Sequence, residues 1–482
     1  MPYSNNRTVF SLSALALLIA GAVLYAGPLN PPAGPVTSTY KTLTEVEPRT
    51  AINATNTPGD ADSLYKITQP GSYYLTGNIT GVVGKHGIEI SSSGVSLDLS
   101  GFDMLGVAGS LDGVNAAPGV MGVAVQNGSI RSWGDEGVEI GNASAATDLR
   151  VLGCVGFGVV IAQNSTATRC RVTSNTAGGI ATGTNCIVQS CSAQLNGGGG
   201  ILAFGGCSVL DCTATTNTGN GISTGNGSTI SCCAATDSTL AGFSVTTNCA
   251  IADCSASFND VHGFAGGDGV SITNSTAASN FGSGIVVANG GTITSCTARA
   301  NAGTGLSTSD GCTITDCSAY SNTGIGISTG EECTITGCTA NSNSADGILL
   351  NRDSRASGCV ANSNSGDGIE ARSQCMVSGN TCTNNGNATT LGAGVRVLVS
   401  SSGLIIDGNT LESNRFGMTV SGTRTLIVRN HCRNNFNGNY DIGVTNNYGP
   451  IIDRTASAGA FVSGNSAPSN LTTTDPHANF AY

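Results

Sequence analysis

The sequence predicts an all-β solenoid of 21-residue coils, and three observations predict it. Gly followed by an apolar residue recurs at twelve positions from Gly137 to Gly368, always 21 residues apart. Cysteine keeps the same interval, and so does an Asn from Asn175 to Asn385. A fixed period of this size marks a stack of like units, each too small to bury its own apolar face alone.

Each Gly is numbered as offset 0 of its coil. Offset 1 is apolar in all twelve coils, from Val138 and Val159 through Phe243 and Phe264 to Ile369. Offset 9 is mostly Val or Ile, as in Val188, Ile230, Ile272, Ile314 and Ile335, and offset 14 is Ala in nine consecutive coils from Ala193 to Ala361. Cys stands at offset 7 in Cys186, Cys207, Cys249, Cys312, Cys333 and Cys375, and at offset 12 in nine coils from Cys170 to Cys359, which accounts for fifteen of the nineteen. Offsets 7, 9, 12 and 14 read as two short strands of period two. Turn pairs such as Asn226-Gly227, Asp268-Gly269 and Asp310-Gly311 precede offset 7. Three strands and three turns then make one coil, stacked on the next at about 4.8 Å. The Asn at offset 17 is expected to bond its neighbours within a turn, and Gly at offset 0 to serve a corner of positive φ.

The flanks lack this period. Residues 1–26 carry Arg7 and the uncharged apolar run Val9–Ala26, the pattern of a signal peptide or membrane anchor. Residues 27–36 form a Pro/Gly linker. Residues 37–105 read as an N-terminal cap with the first irregular coils, residues 106–440 as about fifteen coils in all with those before them, and 441–482 as a C-terminal cap and tail. Caps are expected because an open coil exposes unpaired strand edges. Either form of leader places the chain outside the cytoplasm, as a secreted, periplasmic or cell-surface protein.

Composition excludes other classes. Gly supplies 69 of 482 residues and charged residues only 10%, too few for a coiled coil or helical repeat. Gly has no every-third-residue period, so collagen is excluded. The net charge of −11 argues against nucleic acid and anionic membranes as partners. Membrane contact is expected only through an uncleaved N-terminal segment, and the chain reads as a monomer.

The 21-residue unit, its inward apolar offsets and the Asn175–Asn385 series resemble the right-handed parallel β-helix of the pectate-lyase-like superfamily, over roughly residues 60–460. The resemblance implies a single capped domain. It leaves function open, because lyases, hydrolases, epimerases, esterases, adhesins and tail fibres share the fold. The cysteines admit three readings: inert core thiols, disulfides between neighbouring coils, or a metal site from the repeated C-x4-C.

Rare charges supply the candidate site. Asp346 and Asp367 share one offset in adjacent coils, so their carboxylates are expected about 5 Å apart, as in an acid pair or a cation site. Glu370 and Arg372 lie on the same face, Arg352 and Asp353 fill the preceding corner, and Arg396 extends the stripe. An Arg base beside acidic, Ca²⁺-binding residues is what the resemblance to polysaccharide lyases calls for. Soluble turn chemistry is the plainer reading of the same residues, and of Asp260/His262/Asp268 and Arg429/His431/Arg433. The middle of the face is neutral, from Val160 to Ser328. Polygalacturonase-like and epimerase-like motifs are missing, and the exposed aromatics Phe204, Phe281 and Tyr320 fall on different faces. No cofactor is evident, and Ca²⁺ is the one candidate. Two functions stay open: an exported surface or envelope protein with a structural or binding role toward polysaccharide, and a polysaccharide lyase or glycoside hydrolase using Asp346, Asp367, Glu370 and Arg372.

Overall fold

The computed structural model describes residues 47–386, 392–453, 461–463 and 475–482. The apolar leader and its linker lie outside the described residues. Met1–Arg49 and Thr50–Tyr482 form two separate units. In the first, Arg49 pairs with Glu47 at 2.8 Å.

Every regular element among the described residues is a strand. A typical coil of the second unit holds Ile222–Thr224, Thr229–Ser231 and Ala234–Thr236. Each pairs in parallel with its counterpart 21 residues on, as Ile222 with Phe243, Ile230 with Ile251 and Ala235 with Ala256. The chain is therefore a parallel β-helix with three strand faces. The first-strand face stacks eighteen strands, from Ser63–Ile67 to Tyr440–Ile442. That exceeds the expected fifteen or so. The opening coils stay in register (Tyr65 with Ile88, Ile88 with Val114) although their spacing differs from 21. At the far end, Ile451–Asp453 pairs antiparallel with Phe461–Ser463, and Asn479–Ala481 adds a parallel strand beside His431–Arg433.

The core follows the periodicity. Ile222, Ile230 and Ala235, at offsets 1, 9 and 14, are buried. Small Ala fits where three strands enclose a narrow interior. Phe243 and Phe264 stack inside at 4.8 Å with their rings 7° from parallel, the distance of one rung. Trp133 is buried and donates its Nε1–H to Met104 O at 3.0 Å.

The corners differ from expectation in two ways. First, offsets 7, 12 and 17 are corner residues, and the strands occupy 8–10 and 13–15. In the coil of Gly221, Gly227, Cys232 and Asp237 take positive φ of 67°, 53° and 53°. The residue after each, Ser228, Cys233 and Ser238, turns its side chain inward and is buried. At most of these corners its acceptor takes the backbone N–H of the coil before, although Ser238 Oγ has no such partner. Ser228 Oγ accepts from Cys207 at 3.1 Å, Cys212 Sγ from Cys191 at 3.4 Å, and Asn280 Oδ1 from Asn259 at 3.1 Å. Asn, Ser and Cys each supply a short side chain with an acceptor, while Val270 fills the first corner of its coil with an apolar group. The thiols aim at backbone, as Cys191 Sγ at Ala167 O (3.4 Å), and all nineteen cysteines are free. In the late coils Asn replaces Cys at the second corner, and Asn380, Asn409 and Asn430 bond in series at 3.0 and 2.9 Å.

Second, the Gly at offset 0 is required by close approach, not by φ. A Cβ on Gly263 would stand 2.6 Å from Gly284 O and 2.8 Å from Asn280 Nδ2. The Asn series is the other side of that contact. Asn280 Nδ2 donates to Asn301 Oδ1 at 2.9 Å and to Ala256 O at 3.2 Å.

Candidate functional site

The first-strand face carries the rare charges in two groups. One outward residue per coil forms a column that is neutral from Val160 to Leu349. The column then continues as Glu370, Arg396, Thr419 and Asp441, each in register with the next. The residue before each coil's Gly forms a second column at the rim, and Asp346 and Asp367 belong to it.

These two Asp side chains have a backbone duty. Asp346 Oδ1 accepts the N–H of Asp367 at 2.7 Å, and Asp367 Oδ1 accepts the N–H of Ala393 at 2.6 Å. The same position does the same work elsewhere: Asn220 Oδ1 caps Ala241 at 3.0 Å and His262 Nδ1 caps Ser283 at 3.1 Å. His262 is therefore a corner cap, and burial lowers its proton affinity. Asp268 caps Asn289 on the next turn at 3.0 Å.

The free oxygens create the electrostatics. Ligand atoms of Asp346, Asp367 and Glu370 lie within 4.8 Å of one another, and Arg396 Nη1 is 3.4 Å from Asp367 Oδ2. Asp367 is 2% exposed, and burial raises its carboxyl from 3.8 to about 7. Burial also raises Asp346 and Glu370. Arg372 sits exposed past the strand end, and Arg352 pairs with Glu331 at 2.6 Å. Arg396 is thus the guanidinium that reaches the acids. With Phe416, Thr419 and Asp441 it lines an adjoining groove of about 320 Å³. Arg396 already faces this cluster and two of its oxygens accept N–H groups, while the three acids still offer ligand atoms for a metal ion such as Ca²⁺.

The irregular coils hold a second group that the 21-residue interval concealed. Asp112, Glu136 and Glu139 bring ligand atoms within 4.8 Å of one another. Asn115 Nδ2 donates to Asp112 Oδ2 at 2.8 Å, and Asp112 Oδ1 caps Glu136 at 2.9 Å. Burial, then neighbouring carboxylates, push Glu136 up to about 8. No guanidinium enters this set, and its three acids also offer ligand atoms for a metal ion. His86 Nδ1 stands 3.1 Å from Asp112 N and 3.2 Å from Asp112 Oδ2. A neutral ring accepts from the first, while a protonated ring donates to the second. Burial opposes that proton, Asp112 more than offsets it, and the pKa of His86 rises. Gly87-Ile88, Gly113-Val114 and Gly137-Val138 repeat the Gly-apolar pair at irregular intervals and were the available signal.

The late coils also hold structural contacts. Arg433 holds Glu412 at 2.5 Å, Arg429 holds Asp407, and His431 stacks on Phe480 at 5.2 Å. Phe204, Phe281 and Tyr320 are exposed. Among the described residues, no helix is long and apolar enough to cross a membrane.

Comparison with known proteins follows this geometry. The right handed beta helix region matches over residues 205–333 and 323–479, more than half of the chain. The A-module of the mannuronan C-5 epimerase AlgE4 from Azotobacter vinelandii is 16% identical, with 74% of this chain and 90% of that one covered and a TM-score of 0.31. The tailspike receptor-binding protein of bacteriophage Det7 is 12% identical, with 71% and 72% covered and a TM-score of 0.33. Pectate lyase Pel9A is 14% identical, with 55% and 71% covered and a TM-score of 0.25. No curated protein sequence matches.

Proposed function

Because the chain belongs to the right-handed β-helix family, a stack whose outward rows repeat at rung spacing, we propose that it is an exported surface or envelope protein with a structural and binding role, its first-strand face engaging a polysaccharide. The leader of residues 1–26 would deliver it. One observation carries the binding reading: the groove of Arg396, Phe416, Thr419 and Asp441 opens beside Glu370 on a flat strand face. A ring to pack on and a few fixed polar groups for hydroxyls are the usual means of orienting a ligand. The capping duty of Asp346 and Asp367 favours binding over turnover, because the fold itself accounts for both acids.

A second reading, a polysaccharide lyase or glycoside hydrolase, is favoured by one observation. Asp367 stands near neutrality beside other carboxylates, as an acid–base pair would require. A panel of neutral and acidic polysaccharides separates the two. Binding without new unsaturated or reducing ends, unchanged in Asp367→Asn, supports the first. Turnover lost in Asp367→Asn with melting temperature retained overturns it, since Asn keeps the cap and loses only the acid.

A further inference from the structure

The third-strand face of the early coils carries an unusual pair. Arg150 and Arg171 are direct lateral neighbours in register, the one place among the described residues where two Arg are paired across strands. Their column runs Asp103, Ser129, Arg150, Arg171, Ser192, Thr213. Both guanidinium side chains are exposed. Like charges one rung apart repel, and a chain of net charge −11 has acids available to relieve them. The acids nearby are committed elsewhere: Asp103 to Arg131 at 2.8 Å, and Asp148 to Arg169 at 2.7 Å. Arg150 reaches only Ser129 Oγ, at 3.0 Å, and Arg171 has no carboxylate partner among the described residues. Beside Arg171 runs a groove of about 760 Å³ lined by Ser190, Ser192, Gln194 and Thr213, together with Asp211 and the Arg169–Asp148 pair. Apart from Asp211 and the neutralised Asp148, its side chains offer hydrogen-bond donors.

We propose that Arg150 and Arg171 form a binding site for a tetrahedral oxyanion, a sulfate or phosphate group, presented free or as an ester on a larger molecule. The spacing selects the shape. A carboxylate has two oxygens in one plane, which a single guanidinium fork saturates. Two forks carried on strands about 4.8 Å apart call for an anion with oxygens in several directions. Gln194, Ser192 and Thr213 then meet the group that bears the ester. The site stands on a different face from the polysaccharide groove and does not depend on that reading.

The test measures binding to the full chain by calorimetry at low salt. The probes are inorganic sulfate, inorganic phosphate, a sulfated dextran, unsulfated dextran and polygalacturonate. Sulfated dextran is expected to bind and unsulfated dextran not to. Arg150→Gln and Arg171→Gln should each weaken binding by about tenfold or more, the loss of a charge-assisted bond, with melting temperature retained. Arg299→Gln, an exposed Arg on distant coils, should leave it unchanged. Competition by the inorganic ions assigns the site to free oxyanions, and its absence assigns it to esters; both outcomes support the proposal. Sulfated dextran bound equally well by the double variant, polygalacturonate bound as tightly with the same losses, or no binding of any sulfated or phosphate probe by the natural chain would each overturn it.

Discussion

Asp346 holds the backbone N–H of Asp367 at 2.7 Å, and Asp367 in turn holds that of Ala393. Two residues that sequence spacing marks as an acid pair are thus consecutive supports of one corner. Removing the acceptor strands a buried N–H. Asp367→Ala should cost about 1–3 kcal/mol, read by chemical denaturation, while Asp367→Asn should cost far less. Equal losses in the two variants would refute the capping role.

The same residue sets a pH dependence. Its carboxyl is raised from 3.8 to about 7, so the folded chain binds a proton that the unfolded chain has released. The stabilisation is fully present below pH 3.8 and is lost as pH rises through about 7. Denaturation midpoints should fall across that window, and the fall should shrink in Asp367→Asn. A variant with the unaltered slope would place the effect on other groups.

The thiols should divide sharply by access. Cys232 is exposed and the other eighteen are buried. Burial holds Cys154 and Cys375 up at about 11, so these thiols stay protonated and unreactive. A thiol reagent should label one cysteine per native chain, lost in Cys232→Ser, and all nineteen in denaturant. Rapid native labelling of several thiols would contradict the corner packing.

Corner chemistry also predicts which exchanges are tolerated. Ser275 stands in the second-corner series, where its Oγ accepts from Cys254 at 3.2 Å. Cys212→Ser should therefore cost less than about 1 kcal/mol, whereas Cys212→Val removes the acceptor for Cys191 N–H and should cost about 1–3 kcal/mol. Asn301→Asp should exceed both, because it turns the amide that donates to Asn322 Oδ1 into a second acceptor. Thermal melts of the three variants rank them, and a different order would count against the hydrogen-bond account.

The coil was legible because burial repeats whenever geometry repeats. Offset 1, from Val138 to Ile369, names the inward row of one strand without any structure. The corner role of Cys and Asn was only half legible. Their periodicity shows in the sequence, but their partner is a backbone N–H one coil away, which carries no side-chain signature. For the same reason the sequence shows Asp346 and Asp367 as an acid pair and hides their capping of backbone N–H groups. The early group around Asp112 and Glu136 stayed hidden because loops of unequal length break the count while leaving strand register intact, as Ile88 with Val114 and Val114 with Val138 demonstrate.

The uneventful stretch of the first-strand column acts as a ruler. Glu139 and Glu370 lie on one column eleven rungs apart, with neutral residues between. At one rung per coil the two charged groups are held roughly 50 Å apart. Every coil in that interval has the same length, so excising one 21-residue unit would shorten the gap by a single fixed increment. Distance between the two ends is therefore a countable trait, set by the number of whole repeats between them.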